Sequence, residues 1–488
     1  MNILMVSAEM APLAKVGGLA DVTTALSRAL AARGHDVRIV LPLYGDLDRE
    51  RERIRLYKKL PPLSARVGQR VYDLRFYLQG SASAAVKVYL VDNAELYDRP
   101  GIYTDDQGRD FPDALVRASL HAQAALMLPR LLDWPVDVVH AHDAEACPAL
   151  LYRRQWFAGR RLPGPAGTLL TIHNLAHQHI HDAEAVVTLG LPRALASYPG
   201  LLEFHGQLNL LKGGILAADR VNTVSPTYAR ETMHDPAIGC GLDGVLAGRG
   251  RDYGGILNGG DYVTWNPARD AHLPAAYGPA DLTGKSTCRA SLLAELGLEV
   301  DDGKPVCGFV GRLVSQKGVD LLLPLLRRLA GDGYAFVVLG TGEPRLQQAM
   351  RRHAADAPRR VVYIQEFDEP LAHRIYAGSD LFLMPSLFEP CGLSQMYAMR
   401  YGTPPLVRHT GGLADTVADV ADDPATGTGF AFVEATSEAL LAALRRAERT
   451  FGEADAWRAL QLRGMAVDFS WDLAAEHYER LYSQISGA

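Results

Sequence analysis

Short apolar runs recur along the chain, bounded by Gly, Pro, Asp or Asn. Stretches with apolar residues every three or four positions lie between them. Residues 2–6 (Asn-Ile-Leu-Met-Val) open the series, and residues 36–42, 135–140, 168–174 and 220–226 repeat it. An apolar run of this length between turn signals reads as a buried strand. Residues 21–33 place Val22, Ala25, Leu26, Ala29 and Leu30 close to a 3.6-residue period, and Gly34 stops the helix. Further helices are predicted over 113–132 and 208–218. Residues 70–79 and 85–91 alternate instead, as antiparallel strands do.

A glycine-dense segment, residues 254–261, reads as a linker. A second series follows. Residues 306–311, 335–340, 361–364 and 406–407 are its strands, and residues 377–384 are a loop feeding a short buried strand. Helices are predicted over 319–329 and 393–401, from Ser437 (read as an N-cap), and from Trp471 through Tyr482. Strand–loop–helix repeats at this spacing predict parallel, doubly wound sheets. The 488 residues exceed the roughly 250–300 at which a single core stops growing, so two α/β domains are expected.

Composition adds exclusions. The chain is 48% hydrophobic and 22% charged, with a net charge of −6. Neither nucleic acid nor a membrane is an expected partner, and no apolar run reaches the length of a span. Residues 1–6 lack the basic start of a secretory leader, and Glu9 and Lys15 follow too soon. Five cysteines, at 147, 240, 288, 307 and 391, show neither a disulfide framework nor zinc-ligand spacing. A reducing cytoplasm is the expected location, and no metal or cofactor is expected. His177, His179 and His181 alternate, but no further ligand pattern accompanies them, so they read as loop histidines.

The chemistry concentrates at strand ends. After residues 377–384 the chain turns through Glu389-Pro390-Cys391-Gly392 and a helix begins near Leu393 and Ser394. Helix N-termini carry unpaired N–H groups and partial positive charge, so an anion fits there, and Gly392 permits close approach. Glu389 is an acceptor able to hold hydroxyl groups beside that anion. A phosphate next to a polyol describes a nucleotide sugar. A capped helix whose glutamate satisfies loop amides explains this stretch about as well. Lys15 beside Gly17 and Gly18 follows the first strand and suits a phosphate, though a solvated turn lysine is the commoner case. Arg312 and Lys317 follow the strand at 306–311. Asp143 follows the strand at 135–140, and His173 stands at the end of the strand at 168–174.

Several of these stretches are family motifs. The chain resembles the bacterial glycogen synthases and plant starch synthases. Lys15-Val16-Gly17-Gly18-Leu19 matches their K-x-G-G-L signature, and Phe388-Glu389-Pro390-Cys391-Gly392-Leu393 and Thr410-Gly411-Gly412-Leu413-Ala414-Asp415 match two more motifs. Thr171-Ile172-His173-Asn174, Leu257-Asn258-Gly259 and the segment from Gly311 to Gly318 match as well, all in family order. The resemblance implies a GT-B fold, two Rossmann-like domains with parallel sheets facing a deep interdomain cleft. Their expected limits are 1–253 and 266–465, joined by a hinge at 254–265. A terminal helix, 466–488, is expected to cross back to the first domain.

The activity implied is transfer of glucose from ADP-glucose to the non-reducing end of an α-1,4-glucan such as glycogen, with retention and without a metal. By position, Lys15, Gly17 and Gly18 should reach donor phosphates and sugar, and Arg312 and Lys317 the diphosphate. Leu393 and Ser394 should add donors to that diphosphate beside Cys391 and Gly392. Glu389 should accept from the glucose hydroxyls. His173 should lie near the C6 hydroxyl and anomeric face, Asn258 near the sugar, Asp143 near the acceptor, and Phe367 against adenine. One departure bears on the acceptor side: Ala144-Glu145 stand where the family usually has Trp-His. Two rivals are a pyridoxal-phosphate glucan phosphorylase of the same architecture and a non-catalytic glucan-binding protein.

Overall fold

The structure, a computed structural model, describes residues 1–81, 83–156 and 167–486. The chain divides into two units. The first is Met1–Val224, Ala229–Ile256 and Trp471–Ala488, and the second is Ser225–Tyr228 and Leu257–Ser470.

In the first unit, β1 (Asn2–Val6), β2 (Asp36–Pro42), β3 (Val86–Asp92), β4 (Val138–His142), β5 (Gly167–Ile172), β6 (Arg220–Thr223) and β7 (Tyr253–Gly255) run parallel. Their order across the sheet is β7-β6-β5-β4-β1-β2-β3. Antiparallel strands Arg70–Gln79, Ile54–Leu56 and Leu63–Val67 extend the sheet beyond β3. The register of β1 runs from Asn2↔Asp36 to Val6↔Val40 on one side and from Ile3↔Val138 to Val6↔Ala141 on the other.

Successive side chains alternate between faces. Ile3 and Met5 join Leu26, Leu30, Tyr478 and Tyr482, whereas Leu4 and Val6 join Leu120 and Leu150. Both faces are covered, which is why β1 is apolar throughout rather than alternating. Two helices frame the site on this sheet: α1 (Gly18–Ala32) follows β1, and α2 (Asp143–Trp156) follows β4 directly. The helix predicted over 208–218 begins at Leu210, because Leu208 and Asn209 pair in a small antiparallel sheet and the Asn209 side chain caps the Lys212 amide.

In the second unit, β8 (Val306–Val310), β9 (Ala335–Leu339), β10 (Val361–Ile364), β11 (Leu381–Met384), β12 (Pro405–Arg408) and β13 (Phe430–Phe432) are all parallel, in the order β10-β9-β8-β11-β12-β13. Their alternate residues again split between two clusters, Cys307 and Phe309 to one and Val306, Val337 and Leu339 to the other. The later helix is capped by Thr436, whose side chain accepts from the Ala439 amide, and not by Ser437. Counted within its own unit, the second sheet reads third-second-first-fourth-fifth-sixth, the Rossmann order, and the parallel strands of the first read the same with a seventh added at the far edge. The direction of winding reverses between β1 and β4 and between β8 and β11. Open parallel sheets bind ligands beyond the carboxyl ends of the strands at that reversal.

Candidate active site

At the second unit's reversal, β8 delivers residues 311–318 and β11 delivers residues 385–393, ahead of α3 (Ser394–Arg400). The two loops are tied together. The Leu387 amide donates to the Gln316 carbonyl at 2.8 Å, and Gln316 Nε2 donates to the Phe388 carbonyl at 3.3 Å. Gly318 has φ of 66°, and a Cβ there would lie 1.8 Å from the Pro385 carbonyl oxygen. Both facts demand glycine. At the junction Lys317 Nζ lies 2.5 Å from Glu389 Oε2, and Ser386 Oγ donates to the same oxygen at 3.2 Å. Glu389 is only 6% exposed. A carboxylate at that depth needs such partners.

Arg408, at the end of β12, holds this loop from behind. Its Nε donates to the Ser386 carbonyl at 3.0 Å, Nη1 to the Val433 carbonyl at 3.1 Å, and Nη2 to the Leu387 carbonyl. The Gly412 amide donates to the Glu389 carbonyl at 3.0 Å, which brings the Thr410–Asp415 motif against the same turn. The motif's Asp415 is itself held by Ser225 and Thr227. Cys391 is buried, and burial pushes its thiol up to about 12, so it is neutral. Gly392 is left-handed at φ 72°. Asn258 is buried, and its Oδ1 has no hydrogen-bond partner among the described residues. Arg312 is exposed and makes no ion pair among the described residues. Leu393 and Ser394 are half-buried, and Phe367 is 85% exposed.

The first unit's reversal gathers a second group. Lys15 pairs with Asp21 at 2.7 Å, but the side chains are 46% and 42% exposed, so the pair contributes little. A Cβ on Gly17 or Gly18 would meet nothing within 4 Å, leaving open space beside the loop. The loop is shaped by Glu9. Its Oε2 accepts from the Val16 and Gly17 amides at 2.7 and 2.9 Å, and its Oε1 accepts from the Tyr103 hydroxyl at 2.6 Å. Asp143, the first residue of α2, accepts from the His173 amide at 2.7 Å. Burial, then the nearby Glu145, push its carboxyl well above the usual range, against the His173 and Asn174 amides. His173 Nε2 lies 3.1 Å from His142 Nδ1, and burial pushes His173 down to about 3, so its ring is neutral.

Sequence reasoning did not find Glu9 or Arg408. Arg408 ends an apolar strand (Pro-Leu-Val-Arg) and Glu9 follows β1 closely, the position that singled out Lys15 and Asp143.

Residues 2–248 match the family described as starch synthase catalytic domain, and residues 297–458 match glycosyl transferases group 1. The chain is 46% identical to a glycogen synthase of Anaeromyxobacter sp., over 100% of both chains. It is 44% identical to glycogen synthase 2 of Geobacter sulfurreducens, over 99% of this chain and 98% of the relative. Among solved structures it is similar to the catalytic domain of starch synthase IV from Arabidopsis thaliana bound to ADP and acarbose. That match has a TM-score of 0.89 at 33% identity and covers 100% of this chain and 99% of the other. Two Rossmann-ordered units with polar groups at both reversals make this a glycosyltransferase of the GT-B fold. Within that class, the chain belongs to the glycogen and starch synthase family.

Proposed function

We propose that this protein transfers glucose from ADP-glucose to the 4-hydroxyl at the non-reducing end of an α-1,4-glucan, with retention at the anomeric carbon. The observation that carries the reading is the Lys317–Glu389–Ser386 junction at the reversal of the second sheet, where such folds bind nucleotides. In this assignment Arg312 and Lys317 neutralise the departing diphosphate, with Leu393 and Ser394 donating to it beside Cys391 and Gly392. Fixed donors aimed where charge develops are the largest single contribution to such reactions. Glu389 accepts from the glucose hydroxyls. The unpartnered Asn258 Oδ1 is an acceptor that a sugar hydroxyl would satisfy. Phe367 stacks on adenine.

On the first unit, Lys15 and the Gly17-Gly18 loop reach the donor. His173, neutral and oriented by Asp143 and His142, faces the glucose C6 hydroxyl and anomeric carbon. Asp143 lies on the acceptor side. Glu389 is committed to hydroxyls, so no carboxylate is assigned as nucleophile. We therefore assign same-face attack: the acceptor O4 bonds to C1 as the C1–phosphate bond breaks, and the 4-hydroxyl proton passes to the leaving ADP oxygen.

Mixing the protein with ADP-glucose and glycogen should release ADP and lengthen glucan chains, with UDP-glucose run in parallel. No ADP release, or release without chain growth, would refute the reading. Turnover that requires added pyridoxal phosphate and orthophosphate would favour a phosphorylase.

A further inference from the structure

Gln395, the second residue of α3, has no solvent exposure. Its Nε2 donates to the Cys391 carbonyl at 3.1 Å, to the Gly392 carbonyl at 3.0 Å and to Thr416 Oγ1 at 3.1 Å. The Thr416 hydroxyl donates in turn to the Gly412 carbonyl at 2.6 Å. Gln395 Oε1 has no hydrogen-bond partner among the described residues, and a Cβ on Gly392 would lie 2.5 Å from it. A buried acceptor left unmet is costly, and methionine would fill the same space without that cost. The work of this side chain therefore lies in its nitrogen.

That nitrogen decides which way two peptide planes face. In a trans peptide the carbonyl of one residue and the N–H of the next point in opposite directions. The Cys391–Gly392 and Gly392–Leu393 peptides are both trans, and Gly392, left-handed at φ 72°, lets the chain bend between them. Drawing the Cys391 and Gly392 carbonyls onto Gln395 turns the Gly392 and Leu393 amides away from it. Neither amide has a partner among the described residues. The Cys391 carbonyl is confined from another side as well, since a Cβ on Gly412 would lie 2.2 Å from its oxygen.

We infer that Gln395 is a positioning residue for the donor diphosphate: by gripping the Cys391 and Gly392 carbonyls it aims the Gly392 and Leu393 amides at the phosphates. It touches no substrate itself. This assignment rests on the proposed transfer from ADP-glucose, in which the turn at 391–394 meets the diphosphate.

The test is hydrogen exchange of the segment 389–395 in the full-length protein, with and without ADP, alongside ADP titration, initial rates and thermal melting. In the parent, ADP should slow exchange of the Gly392 and Leu393 amides. Gln395→Met keeps the volume and removes the donor. It should abolish that slowing, weaken ADP about tenfold or more and lower kcat about a hundredfold, with KM for glycogen within about twofold. Gln395→Glu sets oxygens against the same two carbonyls and should behave alike, so either folded variant decides. Thr416→Val removes one partner of the Gln395 amide but leaves its two hydrogens for the two carbonyls. It should melt lower yet keep the slowing by ADP and the parental ADP affinity. A merely structural Gln395 would instead make the Thr416 and Gln395 variants fail together. Slowing by ADP that is equal in the parent and a Gln395 variant would overturn the assignment, and so would a parent that shows none. A parent that shows the slowing but releases no ADP from ADP-glucose would refute the glucosyl-transfer reading, and the exchange results would still decide Gln395.

Discussion

Lys317 and Glu389 touch, yet they should fail differently. Lys317 is assigned to a diphosphate whose charge grows as the sugar bond breaks. An interaction that strengthens toward the transition state appears in kcat. Lys317→Ala should therefore lose about a hundredfold or more in kcat and bind ADP less well. It also strips a buried carboxylate of its cation, so it should destabilise the protein by about 1–3 kcal/mol. Glu389→Gln keeps the volume and an oxygen for Ser386 to donate to. It should hold ADP nearly as the parent does, while losing turnover because the reacting carbon is misplaced. ADP titration, initial rates and melting curves for the two variants check this. Lost ADP binding in Glu389→Gln, with Lys317→Ala unaffected, would reverse the roles. Both residues are legible in the sequence because they follow apolar strands as charges in loops that also carry glycine. Glu9 and Arg408 also stand at strand ends, but their roles are not legible, because they act on backbone amides and carbonyls, which leave no pattern in side-chain types.

Among the elements, β4 departs furthest from its sequence pattern. An apolar run ending in histidine suggests polar groups emerging at the strand's end, and His142 does border His173. His140 instead lies in the core with no exposure. Its Nδ1 is 2.8 Å from the Tyr482 hydroxyl and its Nε2 2.6 Å from Thr171 Oγ1. No reading of residues 135–140 alone reveals partners on β5 and on a helix more than 300 residues later. Burial pushes His140 down to about 3 and His121 down to about 4. Unfolded histidine titrates near 6.5, so below that pH the unfolded chain binds protons that the folded one refuses. The stability these neutral rings contribute is present above about pH 6.5 and is lost as pH falls toward 4 and 3. Each could account for about 3–5 kcal/mol at full protonation, a large part of a typical 5–15 kcal/mol. Urea midpoints should thus fall steeply between pH 6.5 and 4.5, and His140→Gln should flatten the slope. Midpoints unchanged down to pH 4 would contradict this account.

For the molecule as a whole, the informative fact is which residues stabilise which unit. The strand and helix periods make two doubly wound series legible, because apolar runs and glycine stops are local. They do not say where the last helix, Trp471–Ile485, belongs, since amphipathic periodicity names a buried face but not its partner. In the structure Ala475, Tyr478 and Tyr482 are completely buried among Ile3, Met5, Val37 and Ile39. Arg33 meets Asp472 and Glu479, and His35 meets Glu479. The helix is thus core to the first unit, although the whole of Leu257–Ser470 intervenes. Tyr482→Ala should cost about 3–5 kcal/mol, as truncation of a buried aromatic does. It also removes the hydroxyl partner of His140. The loss should be local to one unit. In hydrogen exchange read by peptide, amides of residues 1–150 and 220–255 should lose protection, and those of residues 306–465 should not. Equal loss in both sets, or none in either, would mean that the terminal helix does not stabilise the first unit selectively.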